Sequence, residues 1–529
     1  MKQNKIIHLF VLVGVISFAM GSCTKKLDLV PTNGVNSTNL FTSAAIYKSV
    51  LAKVYGSFAT TGSTGAGSGD IQGIDPGTSD FLRLYWKAQE LSTDEAVIAW
   101  GDIGIQDFHN MNWTPNNPFI TGLYYRSLYQ ITLANDFIRQ SSDDKLASRG
   151  ITGTGADTVR QFRTEARFLR AFQYSILMDI FGRPPFVDET EIPIGSYPTQ
   201  KSRAELFAWI ETELKAIEPN MVAARTNEYG RADRAAVWSL LARIYLNADV
   251  YTGTARYTDA IIYSKKVIDA GYSLIPDYRQ LMLADNNLNT NEFILTINYD
   301  GIHTQNYGGT TFLTHASLGG SMNSSDYGVD FTWGGTRTTS AFVDLWPTSG
   351  FTDYRNQFYT AGQSKVINDL SKFTDGYAIT KYRNKTRTGA TGSNTNFVDI
   401  DFPIFRLSEM YLIYAEATLR PGSTGGDLTL ALQYINNIRT RAFQGTVGNY
   451  FPSDLTLDNV LKERAFELYW EGFRRQDLIR YGKFTGASYL WPWKGGVPGG
   501  TAVDDYRKLY PIPNTDLTAN ASLQQNPGY

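Results

Sequence analysis

Between residues 159 and 181 the apolar positions Phe162, Ala166, Leu169, Phe172, Tyr174 and Leu177 recur at mixed three- and four-residue spacings. Such spacing lines one face of a helix, and Gly182-Arg183-Pro184-Pro185 stops it. The same periodicity predicts helices over 43–58 and 123–140. From residue 203 the pattern changes to paired helices at 203–217, 234–247 and 257–270, with Gly230 and Gly253 at the joins. Their small and aromatic positions, including Ala236, Leu240, Ala242, Tyr245, Ala260 and Tyr263, look like tetratricopeptide helix-turn-helix packing in a degenerate form. A second helical block follows at 404–419, 428–442 and 457–481.

Between the two blocks the periodicity fails. A strand-like run at 292–299 leads into 300–401, which is rich in Gly, Thr, Ser and Asn and reads as loops and short strands over the scaffold. The tract at 60–69 has nothing with which to build a core and reads as a surface loop. The expected class is mainly α: a tetratricopeptide-like helical scaffold carrying an inserted, loop-rich, short-strand ligand-binding region. Binding is expected on the loops, because a helical frame leaves them free to vary.

The first residues read as an address. Lys2 and Lys5 precede an apolar run from Ile6 to Met20, which ends in Gly21-Ser22-Cys23. Small residues before a cysteine resemble a bacterial lipoprotein signal, with Met20 at the position usually held by leucine; an ordinary secretory signal is the alternative. The expectation is removal of 1–22, acylation of Cys23 and a single domain over 23–529, with 24–38 as a polar leash. Acyl chains would tether the protein to a membrane.

Composition then narrows the choices. With 49 Lys+Arg against 51 Asp+Glu, and no basic run longer than a pair, no nucleic-acid partner is expected. A single cysteine rules out an internal disulfide framework, and the four histidines lack metal-motif spacing. Aromatic residues make up 13% of the chain, which implies many packed helix interfaces or a stacking surface. Glu463, Glu467 and Glu471 fall at four-residue spacing with Asp477 nearby, and an internal salt-bridge network is the preferred reading over a catalytic cluster. Asp285, Asn287 and Asn289 alternate as in calcium loops, but Thr290 stands where glycine is required and Glu292 comes too early. No cofactor is therefore expected, with calcium at these three residues as the alternative.

Several longer motifs carry a resemblance. They are Glu90-Leu91-Ser92-Thr93-Asp94-Glu95, Glu165-Ala166-Arg167-Phe168-Leu169-Arg170, Gly230-Arg231-Ala232-Asp233-Arg234, Phe405-Arg406-Leu407-Ser408-Glu409 and the C-terminal Glu463 to Leu478 segment. On these the chain is identified as a member of the SusD/RagB family of outer-membrane nutrient-binding lipoproteins. Asn306-Tyr307-Gly308-Gly309 and the run from Tyr489 to Gly496 are similar to the family's starch-binding member. The resemblance implies a non-catalytic, cell-surface glycan binder, with loops around 70–115 and 300–401 forming the site and a SusC-like TonB-dependent transporter as partner.

It also implies the residues. Arg83 and Trp100 match the arginine before and the tryptophan after the Glu-Leu-x-Thr-Asp-Glu motif; Asp75 and Asp102 match polar residues in the flanking loops. Tyr307 matches an aromatic binding residue, and Trp333 aligns with a further stacking residue by position. Ile98 stands where the relative has a second tryptophan, so the aromatic arc is one ring shorter. Sugars need aromatic faces beside planar polar groups, and this set supplies both. On residue type alone, Trp100 fits a core equally well, and Arg83 fits an ion pair with Glu90 or Asp94. Trp491 and Trp493 are read as packing the C-terminal loop. Starch or maltooligosaccharide is the first expectation for the ligand, with levan and laminarin open. Two other functions compete: a glycoside hydrolase using Asp75 and Asp102 as its carboxylate pair, and a helical scaffold that recruits proteins.

Overall fold

The computed structural model describes residues 40–190, 196–347 and 350–529. The predicted signal, Cys23 and the leash at 24–38 lie outside the described residues. The helices that build the frame are α1 (Ala44–Ala59), α2 (Phe81–Glu90), α3 (Pro118–Gln140), α4 (Gly153–Ile180), α5 (Arg203–Ile217), α6 (Arg234–Leu246) and α7 (Tyr257–Ile268), then α8 (Gly309–His315), α9 (Leu407–Leu419), α10 (Leu428–Phe443), α11 (Leu457–Leu468) and α12 (Arg474–Arg480). Neighbours in sequence pack as pairs: α3 on α4, α4 on α5, α6 on α7 and α9 on α10, with α7 joined to α9 across the intervening loops. This is the tetratricopeptide-like scaffold anticipated from the small and aromatic positions.

Starts and stops follow local chemistry. Asn117 accepts from the Phe119 and Ile120 N–H groups and Pro118 occupies the first turn, so α3 begins five residues before the expected 123. Ser202 and Glu205 form a capping box at α5. The helix expected over 404–419 is shorter, because residues 402–406 form a strand that ends where α9 starts.

The helix expected over 457–481 is two helices. It breaks at Tyr469–Phe473, where Trp470 (φ 63°) and Gly472 (φ 85°) adopt the left-handed conformation. Glu471 therefore lies in the break and not on a shared helical face with Glu463 and Glu467. The three carboxylates are nonetheless buried in an ion network. Glu463 pairs with Arg355 (2.5 Å) and Arg439 (2.6 Å), Glu467 with Arg406 and Arg441 (2.5 Å each), and Glu471 with Lys381 (2.6 Å) and Arg406 (2.7 Å).

Among the described residues six short strands, β1 (Val97–Ile98), β2 (Phe293–Ile297), β3 (Thr336–Arg337), β4 (Phe358–Tyr359), β5 (Ala378–Ile379) and β6 (Phe402–Arg406), form three antiparallel pairs: β1 with β3, β2 with β6, and β4 with β5. The first pair stitches the loop region at 300–401 to the segment after α2. One continuous apolar core runs from Phe41 to Ile512 among the described residues. The C-terminal segment crosses back over the beginning of the chain: Tyr510 donates its N–H to Ile180 O, and Trp113 donates its indole N–H to the Tyr529 hydroxyl. Among the described residues, no helix is long and apolar enough to cross a membrane.

Candidate functional site

The site is built on α2, a helix the periodicity did not reveal. Every one of its ten residues is buried, so it has no polar face to mark it. Asp80 caps it, accepting from the Arg83 N–H at 2.8 Å, and the same Oδ1 accepts from the Gly309 N–H at 2.7 Å. One carboxylate thus joins the start of α2 to the Asn306–Gly309 turn. Gly309 has φ 54°, and a Cβ there would strike the Tyr299 ring; a Cβ at Gly308 would strike Asp80 itself. Glycine is required at both positions because the backbone comes this close.

Arg83 projects from the first turn of α2 and is 9% exposed. Its guanidinium donates to Gly77 O and to Tyr307 O (2.9 Å), and lies over the Phe312 ring at 4.7 Å and the Trp100 ring at 5.5 Å. Burial pulls its pKa down to about 10 against the attraction of Asp80, Asp102 and Asp75. Asp75 caps the turn that carries Gly77, accepting from the Gly77 N–H at 2.8 Å. Arg83 therefore touches Trp100 and the Tyr307 backbone directly, and the charges of Asp75 and Asp102 reach it.

The ion pair of Arg83 with Glu90 or Asp94 that residue type allowed is not formed. Asp94 pairs with Arg474 at 2.6 Å, and Glu90 accepts from the Gly472 and Phe473 N–H groups at 2.6 and 3.1 Å.

The aromatic residues form an arc. Trp100 is half-buried, its ring inclined to Phe312 (6.0 Å) and Trp333 (6.3 Å), and its indole N–H donates to Trp333 O at 3.1 Å. It is neither sunk in the core nor free. Trp333 stacks on His315 at 4.8 Å and 24°, and Phe331 lies 6.4 Å beyond, 52% exposed. Tyr307 is 39% exposed and leans on Phe397 at 5.3 Å. Asp102 is exposed in the loop following Trp100. Ile98 is fully buried in β1 opposite Thr336 and contributes no surface. Sequence reasoning missed Phe312 and His315, which brace Arg83, Trp100 and Trp333 from below; both sit on α8, whose seven residues are too few to show a period.

Elsewhere, Trp491 and Trp493 do pack the C-terminal loop, the first buried and the second donating to Ile367 O at 3.0 Å. The calcium alternative is displaced by an arginine. Arg387 pairs with Asp285 at 3.0 Å and donates to Asn289 Oδ1 at 3.2 Å, so a guanidinium occupies the oxygens a cation would need.

The chain aligns over its whole length with the starch-binding protein SusD of Bacteroides thetaiotaomicron, 35% identical over 580 aligned positions that cover 100% of both chains. The chain belongs to the SusD family. The SusD family model matches residues 292–529, and a SusD-like protein P2 of Formosa agariphila is 25% identical over 74% of this chain and 78% of its own. Solved SusD-family structures share the fold. A SusD homolog from Bacteroides thetaiotaomicron superposes with a TM-score of 0.72 at 18% identity, covering 93% of this chain and 98% of the other. Surface glycan-binding protein A of the same organism, in complex with laminarihexaose, superposes with a TM-score of 0.68 at 21% identity, covering 91% and 98%.

Proposed function

We propose that this SusD-family chain is a non-catalytic glycan-capture lipoprotein of the bacterial outer surface, anchored through Cys23 after loss of 1–22. It takes up starch or maltooligosaccharides and passes them to a SusC-like TonB-dependent transporter. One observation carries the reading: Arg83 gathers Trp100, Tyr307, Asp75 and Asp102 around an arc that continues through Trp333. Rings supply faces for the C–H surface of a sugar, and the guanidinium and carboxylates supply paired hydrogen bonds to its hydroxyls. The 35% identity to a starch-binding protein favours an α-glucan.

A β-glucan such as laminarin is the second reading. It is favoured by the burial of Ile98, which leaves the arc one ring short, and by the likeness to a protein solved with laminarihexaose.

Calorimetric titration of the purified protein with maltoheptaose, amylopectin, levan and laminarin tests both, with Trp100→Ala alongside. Tight heat release with one glucan, weakened about tenfold or more in the variant, is the expected result. Loss of a ring–sugar contact should leave cooperative unfolding intact. New reducing ends that appear with wild type and vanish in Asp102→Asn would instead establish a hydrolase. Glycan binding unchanged in Trp100→Ala would move the site elsewhere.

A further inference from the structure

Arg383, Lys385 and Arg387 alternate along the chain, and Tyr382 and Asn384 on either side of Arg383 are buried. The backbone is bridged there: Arg383 donates its N–H to Met282 O at 3.0 Å, and Ala284 donates to Lys385 O at 2.9 Å. Alternation in such a segment sends every second side chain to one face. All three cations line an open cavity of about 540 Å³, with Arg279 as a fourth. Two of the four are already neutralised, Arg279 by Asp277 at 2.7 Å and Arg387 by Asp285 at 3.0 Å. Arg383 donates from Nη2 to Arg279 O at 3.2 Å, and Lys385 from Nζ to Thr391 Oγ1 at 2.9 Å, both uncharged acceptors. Among the described residues neither has a carboxylate partner, and Arg383 Nε is enclosed with no acceptor.

We propose that this cavity is a second binding site, taking a saccharide unit that carries a carboxylate or a sulfate, with Arg383 and Lys385 as its counter-ions. A guanidinium with free donors grips an oxyanion through paired bonds, and the ammonium adds a point charge beside it. Gln280, Ser325 and Thr386 complete the wall with an amide and two hydroxyls, the uncharged donors and acceptors that sugar hydroxyls need. No aromatic ring lines the cavity, so a neutral glucan finds no stacking face there, in contrast to the arc. Its size is that of a small-ligand site. Asp326 also lines it, exposed and without an ion pair among the described residues, and it opposes an incoming acid. Ser325 and Asp326 belong to the helical turn Ser324–Tyr327, which Asn384 holds by donating to Tyr327 O and Gly328 O, both at 2.9 Å. From this turn the chain runs on to Phe331 and Trp333, so the cavity and the arc lie at two ends of one segment. The cavity shares no residue with the arc, and the assignment stands whatever the arc binds.

Calorimetric titration of the purified protein at low ionic strength tests the assignment, with digalacturonate, a sulfated chondroitin disaccharide, inorganic sulfate and a polyglutamate peptide as probes. At least one acidic disaccharide is expected to bind, with an affinity that falls as salt is added. Arg383→Gln is expected to weaken it about tenfold and Lys385→Gln several-fold, while Asp326→Asn strengthens it about twofold. Trp100→Ala, which disables the arc, is expected to leave it unchanged. Lys385 is only partly buried, so Lys385→Gln keeps the test open if Arg383→Gln fails to fold, as thermal unfolding of each variant would show. Absence of binding by both acidic disaccharides overturns the proposal. So does binding that survives both cation substitutions, or that is lost in Trp100→Ala instead. Inorganic sulfate bound as tightly as the sulfated disaccharide overturns the saccharide assignment, and polyglutamate bound more tightly than either disaccharide gives the cavity to a protein partner instead. Failure of maltoheptaose to bind would remove the glucan reading of the arc and leave this site to its own result.

Discussion

Gly335 lies against the Trp100 indole, and a Cβ placed there would come within 2.8 Å of the ring. Its backbone does not require glycine, so the missing side chain serves the ring's position. Gly335→Ala is expected to tilt Trp100 off the Trp333 carbonyl and weaken glycan binding several-fold. Its thermal midpoint should shift by no more than a few degrees, as titration beside calorimetric unfolding would show. At this scale the sequence is a poor guide to geometry. Arg83, Trp100 and Tyr307 stand together as the family motifs implied. No spacing rule, however, placed Phe312 beneath them or made His315 the support of Trp333, because both contacts join segments far apart in the chain. Between core and platform, Trp100 stands half-buried: one side of the ring packs on Phe312 and Trp333 and part of it stays open.

The elements follow the same logic of burial. α5, with one wet face, was legible because its apolar positions repeat, and α4, wrapped on all sides from Phe168 onward, was legible from its length and spacing; α2, wrapped on all sides in only ten residues, was not. The long C-terminal helix was overextended in sequence because charged and aromatic residues keep helical spacing straight through Gly472, which marks the break. That break turns Glu471 toward Arg406 and Lys381, so three acidic residues from two structural contexts share one arginine-rich cavity. Burial alone would raise the Glu467 carboxyl, yet Arg441, Arg406 and Arg355 hold it down at about 2. Glu467→Ala leaves Arg406 and Arg441 short of an anion and is expected to cost about 3–5 kcal/mol, read as a lowered urea midpoint. The effect falls on stability, since none of these groups reaches the aromatic arc.

Across the whole molecule, the first hundred described residues are pinned by the last sixty. Glu90 at the end of α2 accepts from the backbone at Gly472, Glu95 accepts from the Trp470 N–H at 2.9 Å, and the Trp86 and Trp470 rings meet at 5.1 Å. Glu90 and Glu95 face one another in this seam. Burial raises Glu90 to about 7, against hydrogen bonds from Glu95 and the backbone, and burial together with the charge of Glu90 lifts Glu95 well above the carboxylate range. Folded-state pKa values above the unfolded ones stabilise the protein fully below about pH 4.5, and that contribution is lost as pH rises through about 7. The thermal midpoint should therefore fall as pH rises from about 4.5 through about 7, and Glu95→Gln should flatten the decline. A midpoint in the variant that drops as steeply as in wild type would assign the loss to other groups.

The seam also governs when the chain can fold. Trp86 and the Trp470 carbonyl are 384 residues apart in sequence, and Asp94 and Arg474 are 380 apart. Closing loops of that length comes late in folding and is slow. Until residues 470–474 have emerged, the end of α2 lacks the partners of Trp86 and Glu90, while α1, α3 and α8 already pack on the rest of it. A chain that must pass through a membrane before it folds gains from this delay. On the proposed surface location, the N-terminal part stays threadable during transport, and the native state locks only when the C-terminal segment arrives to close it.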